Sequence, residues 1–416
     1  MNFKSDFLRE FSKRGFFAQS THPQELDDLL SSEKITAYIG FDCTAKSLHA
    51  GSLIQIMILR LLQKHGHKPI VLLGGGTTRI GDPSGKDEAR QMLSEEKIKE
   101  NLLGIRKTLE KFITFGGGAA SALLVNNDDW LRHLNYIDFL REVGRHFSIN
   151  RMLTFDSVKA RLDREQPLSF LEFNYMILQA YDFFELNQKH ACRLQIGGSD
   201  QWGNIVNGVE LTRRIAAAKN DKNENREAFG LTSPLLTTAD GKKMGKTAEG
   251  AVWLDESMLS PFDYFQYFRN THDADVGKFL RLFTDLDLEE IASLEKSQGA
   301  EINKAKEILA FETTRICHGE KAAQDALQKA HEIFVSKNSA AFEEREVVAG
   351  QKLSEIMKEI GAVETLSEAK RLIEGKGVKI NGEAVKSIHH IIDKAGEFNL
   401  SVGKKKFFKL IVKNSF

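Results

Sequence analysis

The sequence predicts an α/β protein: a doubly wound parallel sheet, followed by an all-α region and a small basic α+β domain. Three observations lead there. In the first half, short apolar runs with strand character alternate with helix-length segments. From about residue 255 the texture turns to Glu-, Lys- and Ala-rich helical patterns without further strand–helix repeats. Residues 351–416 carry 13 Lys and Arg against 8 Asp and Glu, whereas residues 1–350 carry 45 against 50.

In chain order, Phe3, Phe7 and Phe11 are spaced four apart and mark an amphipathic helix. Its Asp6 and Glu10 argue against a transit peptide. Between Lys34 and Phe41, Ile35, Ala37, Ile39 and Phe41 alternate with Thr36, Tyr38 and Gly40, a strand period that puts Tyr38 and Asp42 on one side. Leu53 to Leu62 is apolar nearly all round and reads as a buried helix, and Ile70 to Leu73 is the next strand. Ile98, Leu102, Ile105, Leu109 and Phe112 recur at three and four residues, before a strand over Ala122 to Val125. A long apolar helix follows from Ser169 to Asn187, then a strand over Cys192 to Ile196. The sum is a Rossmann-like sheet, whose ligands bind beyond the carboxyl ends of its strands. The boundaries expected are 1–250 for this domain, 251–335 for the all-α domain, 336–350 for a polar linker and 351–416 for the basic domain. That last domain reads as helices over Leu353 to Ile360 and Ser367 to Glu374, a Gly375-Lys376-Gly377 turn, and strands around Val378 to Ile380 and Phe407 to Val412.

Composition narrows the function classes. The 58 basic and 58 acidic residues cancel, so only the uneven distribution hints at RNA. Cys43, Cys192 and Cys317 are far apart and indicate neither a disulfide framework nor a zinc site. No apolar run is long enough to cross a membrane, and a cytoplasmic protein is expected.

Four stretches carry chemistry. His49-Ala50-Gly51-Ser52 lies where a strand runs into a helix, so backbone N–H groups and the positive helix end face any phosphate there. Lys243-Met244-Gly245-Lys246-Thr247 lies in a polar loop whose lysines could follow phosphates into a transition state. Gly81 to Lys86 resembles a nucleotide-binding P-loop but has Ile80 at the required first glycine and Asp87 at the magnesium-binding position, which argues against a kinase or ATPase. It still offers Asp82, Lys86 and Arg90. On the long apolar helix, Tyr175, Gln179 and Asp182 share one face. Polar groups facing a core are costly unless satisfied, so they either pair among themselves or receive a polar ligand. Tyr175, Gln179 and Asp82 suit an α-ammonium group, and Asp182 with Tyr38 could clasp a hydroxyl.

These stretches together resemble the class I aminoacyl-tRNA synthetases, and most closely the bacterial tyrosyl-tRNA synthetases. The matching residues are Tyr38 to Thr44 leading into His49 to Ser52, Gly81 to Lys86, Tyr175 to Asp182, Gln195 to Asn204, and Lys243 to Thr247. The resemblance spans essentially the whole chain. Ser52, Cys43 and Met244 depart from the usual residues, and only Ser52 touches the chemistry.

The resemblance implies activation of L-tyrosine by ATP, with Mg²⁺ accompanying the nucleotide, and transfer of tyrosine to the terminal ribose of tRNA(Tyr). Tyr38 and Asp182 would hold the tyrosine hydroxyl, Asp82, Tyr175 and Gln179 the ammonium group, and Gln201 with Gln195 the carboxylate. Gly40, Asp42, His49, Gly51, Gly198 and Asp200 would contact ATP, the last two at its ribose. Thr44, His49, Lys86, Arg90, Lys243 and Lys246 would gather round the departing pyrophosphate. Lys370, Arg371, Lys376, Lys379, Lys404, Lys405 and Lys406 would face RNA phosphates, and the enzyme would be a homodimer. A tryptophanyl-type enzyme is the nearest rival, disfavoured because an indole has no hydroxyl for Asp182. A non-catalytic RNA-binding or splicing protein on the same scaffold is the other.

Overall fold

The computed structural model describes residues 2–82, 93–219, 227–241, 244–247, 250–297, 299, 301–334, 342–403 and 406–414, with the backbone alone for Asp156, Ser157, Lys246, Thr247 and Phe334. The chain divides into two compact units, Met1–Ala323 and Gln324–Phe416.

The first unit is built on a six-stranded sheet of β1 (Gln19–Ser20), β2 (Thr36–Asp42), β3 (Lys68–Gly74), β4 (Leu123–Asn126), β5 (Cys192–Gly198) and β6 (Phe229–Ser233). Its spatial order is β1-β6-β5-β2-β3-β4. All neighbours run parallel except the edge strand β1, which is antiparallel to β6. From β2 the chain moves outward through β3 to β4, then returns to place β5 on the other side of β2. The reversal makes β2 and β5 the topological switch point, and their carboxyl ends the expected ligand crevice. Pairing between them stops at Tyr38↔Gln195 although both strands continue, so their last residues are free to line a gap.

The helix Leu53–Lys64 buries eight apolar side chains, from Leu53 to Leu62. At about 2 kcal/mol for each, this burial fixes where the helix begins, and with it the His49–Ser52 turn. The helix Phe170–His190 starts on a Ser169–Glu172 capping box and stops at Ala191 in the left-handed conformation. Its long polar stripe survives because tertiary partners satisfy it. Residues 261–318 are helical as expected, in Pro261–Arg269, Val276–Phe283, Leu288–Leu294 and Glu301–His318. They belong to the same compact unit as the sheet. No helix among the described residues is long and apolar enough to cross a membrane.

The second unit carries a five-stranded sheet ordered Glu383–Ala384, Val378–Ile380, Gly396–Val402, Lys406–Lys413 and Glu343–Val348. The helices Leu353–Glu359 and Leu366–Glu374 share a core with it through Leu353, Ile356, Met357, Ile373, Leu400 and Leu410. Residues 336–350, expected as a polar linker, contain the strand Glu343–Val348, which pairs in parallel with Phe408–Lys413. Four consecutive charged residues, Glu343 to Glu346, lead into Val347, the strand's only buried residue, so the edge strand looked like a linker.

Candidate active site

A cavity of about 400 Å³ opens at the switch point. Its walls are the ends of β2 and β5, the His49–Ser52 turn, the polar face of helix Phe170–His190, and Pro234, Leu235, Leu236 and Met244 beyond β6.

At one end lie Tyr38 and Asp182, each only 1 % exposed. The Asp182 carboxylate accepts from Asn127 Nδ2 at 2.9 Å and from Trp130 Nε1 at 2.8 Å. Burial outweighs these two donors and pushes its pKa up to about 7, helped by the nearby Asp42 and Glu185 charges. The Tyr38 hydroxyl has no hydrogen-bond partner among the described residues. A buried hydroxyl beside a fixed carboxylate is a ready partner for a ligand group that both donates and accepts. A phenol is such a group. Burial and the Asp182 charge both raise the Tyr38 pKa, so it stays protonated.

The middle of the cavity is a polar lattice. Tyr175 Oη donates to Asp42 Oδ2 at 3.1 Å, and Thr77 Oγ1 donates to Asp42 Oδ1 at 2.9 Å. Gln201 Nε2 donates to Asp82 Oδ2 at 2.9 Å. Asn204 Nδ2 reaches both Gln179 Oε1 at 3.0 Å and Gln201 Oε1 at 3.1 Å. Gln195 is buried, lines the cavity, and its Oε1 has no partner among the described residues.

At the other end the backbone replaces side chains. His49 caps the short turn Ala50–Ser52, its Nδ1 accepting from Gly51 N–H at 3.0 Å. With Nδ1 an acceptor, the neutral ring carries its proton on Nε2. The turn is also strapped to the segment after the lysine loop, through Ala50 N–H to Val252 O at 2.7 Å and Leu254 N–H to Leu48 O at 3.0 Å. Gly51 and Gly245 meet directly. A Cβ on Gly245 would lie 2.4 Å from Gly51 N, and one on Gly51 would lie 3.0 Å from Met244 O. Gly245 also sits at φ +90°, which favours glycine. Two motifs almost two hundred residues apart thus touch through the absence of side chains.

The structure brings together Tyr38, Gly40, Asp42, His49, Gly51, Asp82, Tyr175, Gln179, Asp182, Gln195, Gly198, Asp200 and Gln201, all of which line the cavity. Thr44 is exposed on the turn after β2 and is not among the lining residues. Lys86, Arg90 and Lys243 lie outside the described residues, and Lys246 is described only as backbone in the strand Lys246–Thr247. In the second unit Lys370, Arg371, Lys376 and Lys379 are exposed, whereas Lys406 is half-buried with its Nζ on Ala362 O at 3.2 Å. Lys404 and Lys405 lie outside the described residues. Sequence reasoning missed Asn127, Trp130, Thr77 and Asn204. Asn127 stood in view, an amide just past the carboxyl end of β4. Nothing in the pattern singled out Trp130, whose ring reads as core.

Residues 30–335 match the family model of tRNA synthetases class I (W and Y), and residues 351–397 match that of the S4 domain. The chain is 57 % identical over 424 residues to a tyrosine–tRNA ligase of Ehrlichia ruminantium (strain Welgevonden), covering 100 % of each. It is 55 % identical to the tyrosine–tRNA ligase of Wolbachia pipientis subsp. Culex pipiens (strain wPip), covering 99 % of each. Among solved structures it resembles a C-terminally truncated mitochondrial tyrosyl-tRNA synthetase of Aspergillus nidulans, at 30 % identity and a TM-score of 0.71, covering 80 % of this chain and 94 % of that one.

Proposed function

The chain belongs to the class I tRNA synthetases of the W and Y group, and from that premise we propose how its cavity ligates tyrosine to tRNA. Its activity is ATP-dependent tyrosine–tRNA ligation. The observation that carries the choice of tyrosine is the buried pair Tyr38 and Asp182 at one end of the cavity. Tyrosine enters with its hydroxyl between them, donating to Asp182 and accepting from Tyr38. Its ammonium group lies among Asp82, Tyr175 and Gln179, and its carboxylate near Gln201 and Gln195.

ATP places its ribose at Gly198 and Asp200 and its phosphates along Gly40, Asp42, Gly51 and His49. The tyrosine carboxylate attacks the α-phosphorus, the bond to the β-phosphate oxygen breaks, and pyrophosphate leaves with the displaced electron pair. A ribose hydroxyl of tRNA(Tyr) then attacks the carbonyl carbon, the bond from that carbon to the phosphate oxygen breaks, and AMP leaves with the electron pair while the hydroxyl proton passes to solvent. Neither step needs a protein nucleophile, so catalysis rests on alignment and charge stabilisation. His49 supplies an Nε2 donor, and Thr44, Lys86, Arg90, Lys243 and Lys246 supply the remaining groups for pyrophosphate. Mg²⁺ enters as part of the substrate, on the phosphate oxygens.

The basic second unit meets tRNA through Lys370, Arg371, Lys376 and Lys379, with Lys404 to Lys406 adding positive charge. A homodimer in the cytoplasm completes the reading. It is supported by the exposed apolar side chains of residues 136–171, with Tyr136 at 61 %, Ile137 at 68 %, Ile149 at 64 % and Phe170 at 71 %. The test is exchange of labelled pyrophosphate into ATP with each of the twenty amino acids in turn. Tyrosine alone supports rapid exchange; faster exchange with tryptophan would overturn the assignment.

A further inference from the structure

The segment that leaves β6 at Ser233 contributes Pro234, Leu235, Leu236 and Met244 to the cavity wall and brings Gly245 against Gly51. Gly241 and Gly245 sit at φ +79° and +90°, a backbone conformation that favours glycine. Its backbone is held from outside at three points. Ala239 N–H donates to Asp275 Oδ2 at 2.7 Å. Lys278 Nζ donates to Thr237 O at 2.7 Å. The Gly245 backbone also lies against the Tyr267 hydroxyl.

All three anchors come from the helical region. Tyr267 is on the helix Pro261–Arg269, and Lys278 on Val276–Phe283, with Asp275 immediately before that helix. Those helices are themselves immobilised, with Tyr264, Phe265, Phe268, Phe279, Leu280 and Phe283 all buried. Asp275 is 5 % exposed. A carboxylate that far from water is costly unless its hydrogen bonds are made, so the Ala239 contact is held firmly. None of the three anchor residues lines the cavity. They cannot touch the substrates as tyrosine and ATP are placed above, and act only through the backbone they hold.

We propose that Asp275, Tyr267 and Lys278 are positioning residues for tyrosyl-adenylate formation, a helical bracket that sets where Gly245 meets the His49–Ser52 turn. This rests on the functional reading given above. The contacts hold the backbone at Thr237 and Ala239 on one side and at Gly245 on the other. The Gly245–Gly51 contact tolerates no extra atom, so a small displacement of the segment translates into misplacement of the phosphate-binding groups. The bracket therefore belongs to the chemical step and not to tyrosine binding, which the opposite end of the cavity performs.

The test compares Asp275→Ala with Asp275→Asn, which keeps an oxygen acceptor for Ala239 N–H. Asp275→Ala lowers kcat of tyrosine-dependent pyrophosphate exchange by about ten-fold to a hundred-fold, with the tyrosine dissociation constant within about two-fold of the parent. Asp275→Asn regains most of the loss. Tyr267→Phe and Lys278→Met each remove one anchor from a half-buried side chain and lower kcat less, again without weakening tyrosine binding. These two carry the test if Asp275→Ala does not fold. Unchanged kcat in every variant, an Asn variant no better than Ala, or tyrosine affinity falling in step with kcat would overturn the bracket while parent exchange stays normal. An unmodified chain with no tyrosine-dependent exchange would overturn the functional reading itself, and the bracket with it.

Discussion

In the proposed reading, the two ends of the cavity hold a polar ligand out of bulk water by opposite means. The Tyr38–Asp182 end uses buried side chains on regular elements, locked by Asn127 and Trp130 at 2.9 and 2.8 Å. The phosphate end uses backbone on irregular segments, where Gly51 and Gly245 touch because neither has a side chain. The first suits discrimination, since a missing ligand hydroxyl leaves buried partners unsatisfied. The second suits a reaction in which charge moves between oxygens, since glycine backbone without side chains lets phosphates come close to the positive start of helix Leu53–Lys64. Mutations at the two ends should therefore fail differently.

The largest effect belongs to Asp182→Ala. It removes the proposed acceptor for the substrate hydroxyl, strands Trp130 Nε1 and leaves Asn127 Nδ2 with Thr77 Oγ1 alone. With about 1.5–3 kcal/mol for a hydrogen bond to a charged group and more for donors left unmet, kcat/KM for tyrosine should fall about 10³-fold. Selectivity over phenylalanine should fall with it. Steady-state exchange with both amino acids decides: an unaltered ratio would detach Asp182 from hydroxyl recognition and leave the two ends alike.

Gly245→Ala comes next. Its Cβ would stand 2.4 Å from Gly51 N at a φ of +90°, so the segment must shift. We expect kcat of exchange to drop about 10²-fold while equilibrium tyrosine binding is preserved, the mirror image of Asp182→Ala. Loss of tyrosine affinity in this variant would show that the ends are not separable.

The same contrast explains how much could be read from the sequence. The amino-acid end was legible because helix and strand periods convert spacing into a shared face: Tyr175, Gln179 and Asp182 at steps of four and three, Tyr38 and Asp42 at a step of four along a strand. The sheet was legible for the same reason. Strand β6 was not foreseen, since Phe229-Gly230-Leu231-Thr232-Ser233 is short and buried at every residue, which leaves no alternation to see. Contact between the two phosphate motifs could not be seen from spacing, because it depends on two glycines meeting across the fold. Trp130 was hidden by its own chemistry: a tryptophan reads as core until a carboxylate is found at its indole nitrogen.

A smaller and graded effect should come from pH. Asp182 is raised from 3.8 to about 7, first by burial and then by the Asp42 and Glu185 charges, against the opposing Asn127 and Trp130 hydrogen bonds. A protonated Asp182 is a poorer acceptor for the substrate hydroxyl, so tyrosine affinity should rise as pH increases through about 7. Trp130→Phe removes a donor that favours the charged form and should move that midpoint upward. The stability of the unliganded protein runs the other way. A carboxyl that holds its proton more tightly when folded contributes stability that is full below about pH 4 and lost as pH rises through about 7. Tyrosine titrations from pH 6 to 8 on parent and variant would show the shift, and a pH-independent affinity would remove Asp182 from ligand contact.

The smallest effect on activation is expected from deleting the second unit, because every residue assigned to tyrosine and ATP lies before Val252. The cut must respect the strand Glu343–Val348, which belongs to the C-terminal sheet through its pairing with Phe408–Lys413. A chain ending near residue 335 keeps every element of the first unit, whereas one ending near 345 would leave half of an unpaired strand exposed. The shorter chain should retain tyrosine-dependent pyrophosphate exchange nearly intact and lose most tRNA charging. Since lysine–phosphate contacts release counterions, the full-length chain should also lose tRNA affinity with rising salt more steeply than the truncated one. Parallel measurements of exchange, charging and the salt slope separate the possibilities. Loss of exchange would make the second unit a structural part of the catalytic body, and equal charging by both chains would deny it a role as an RNA arm.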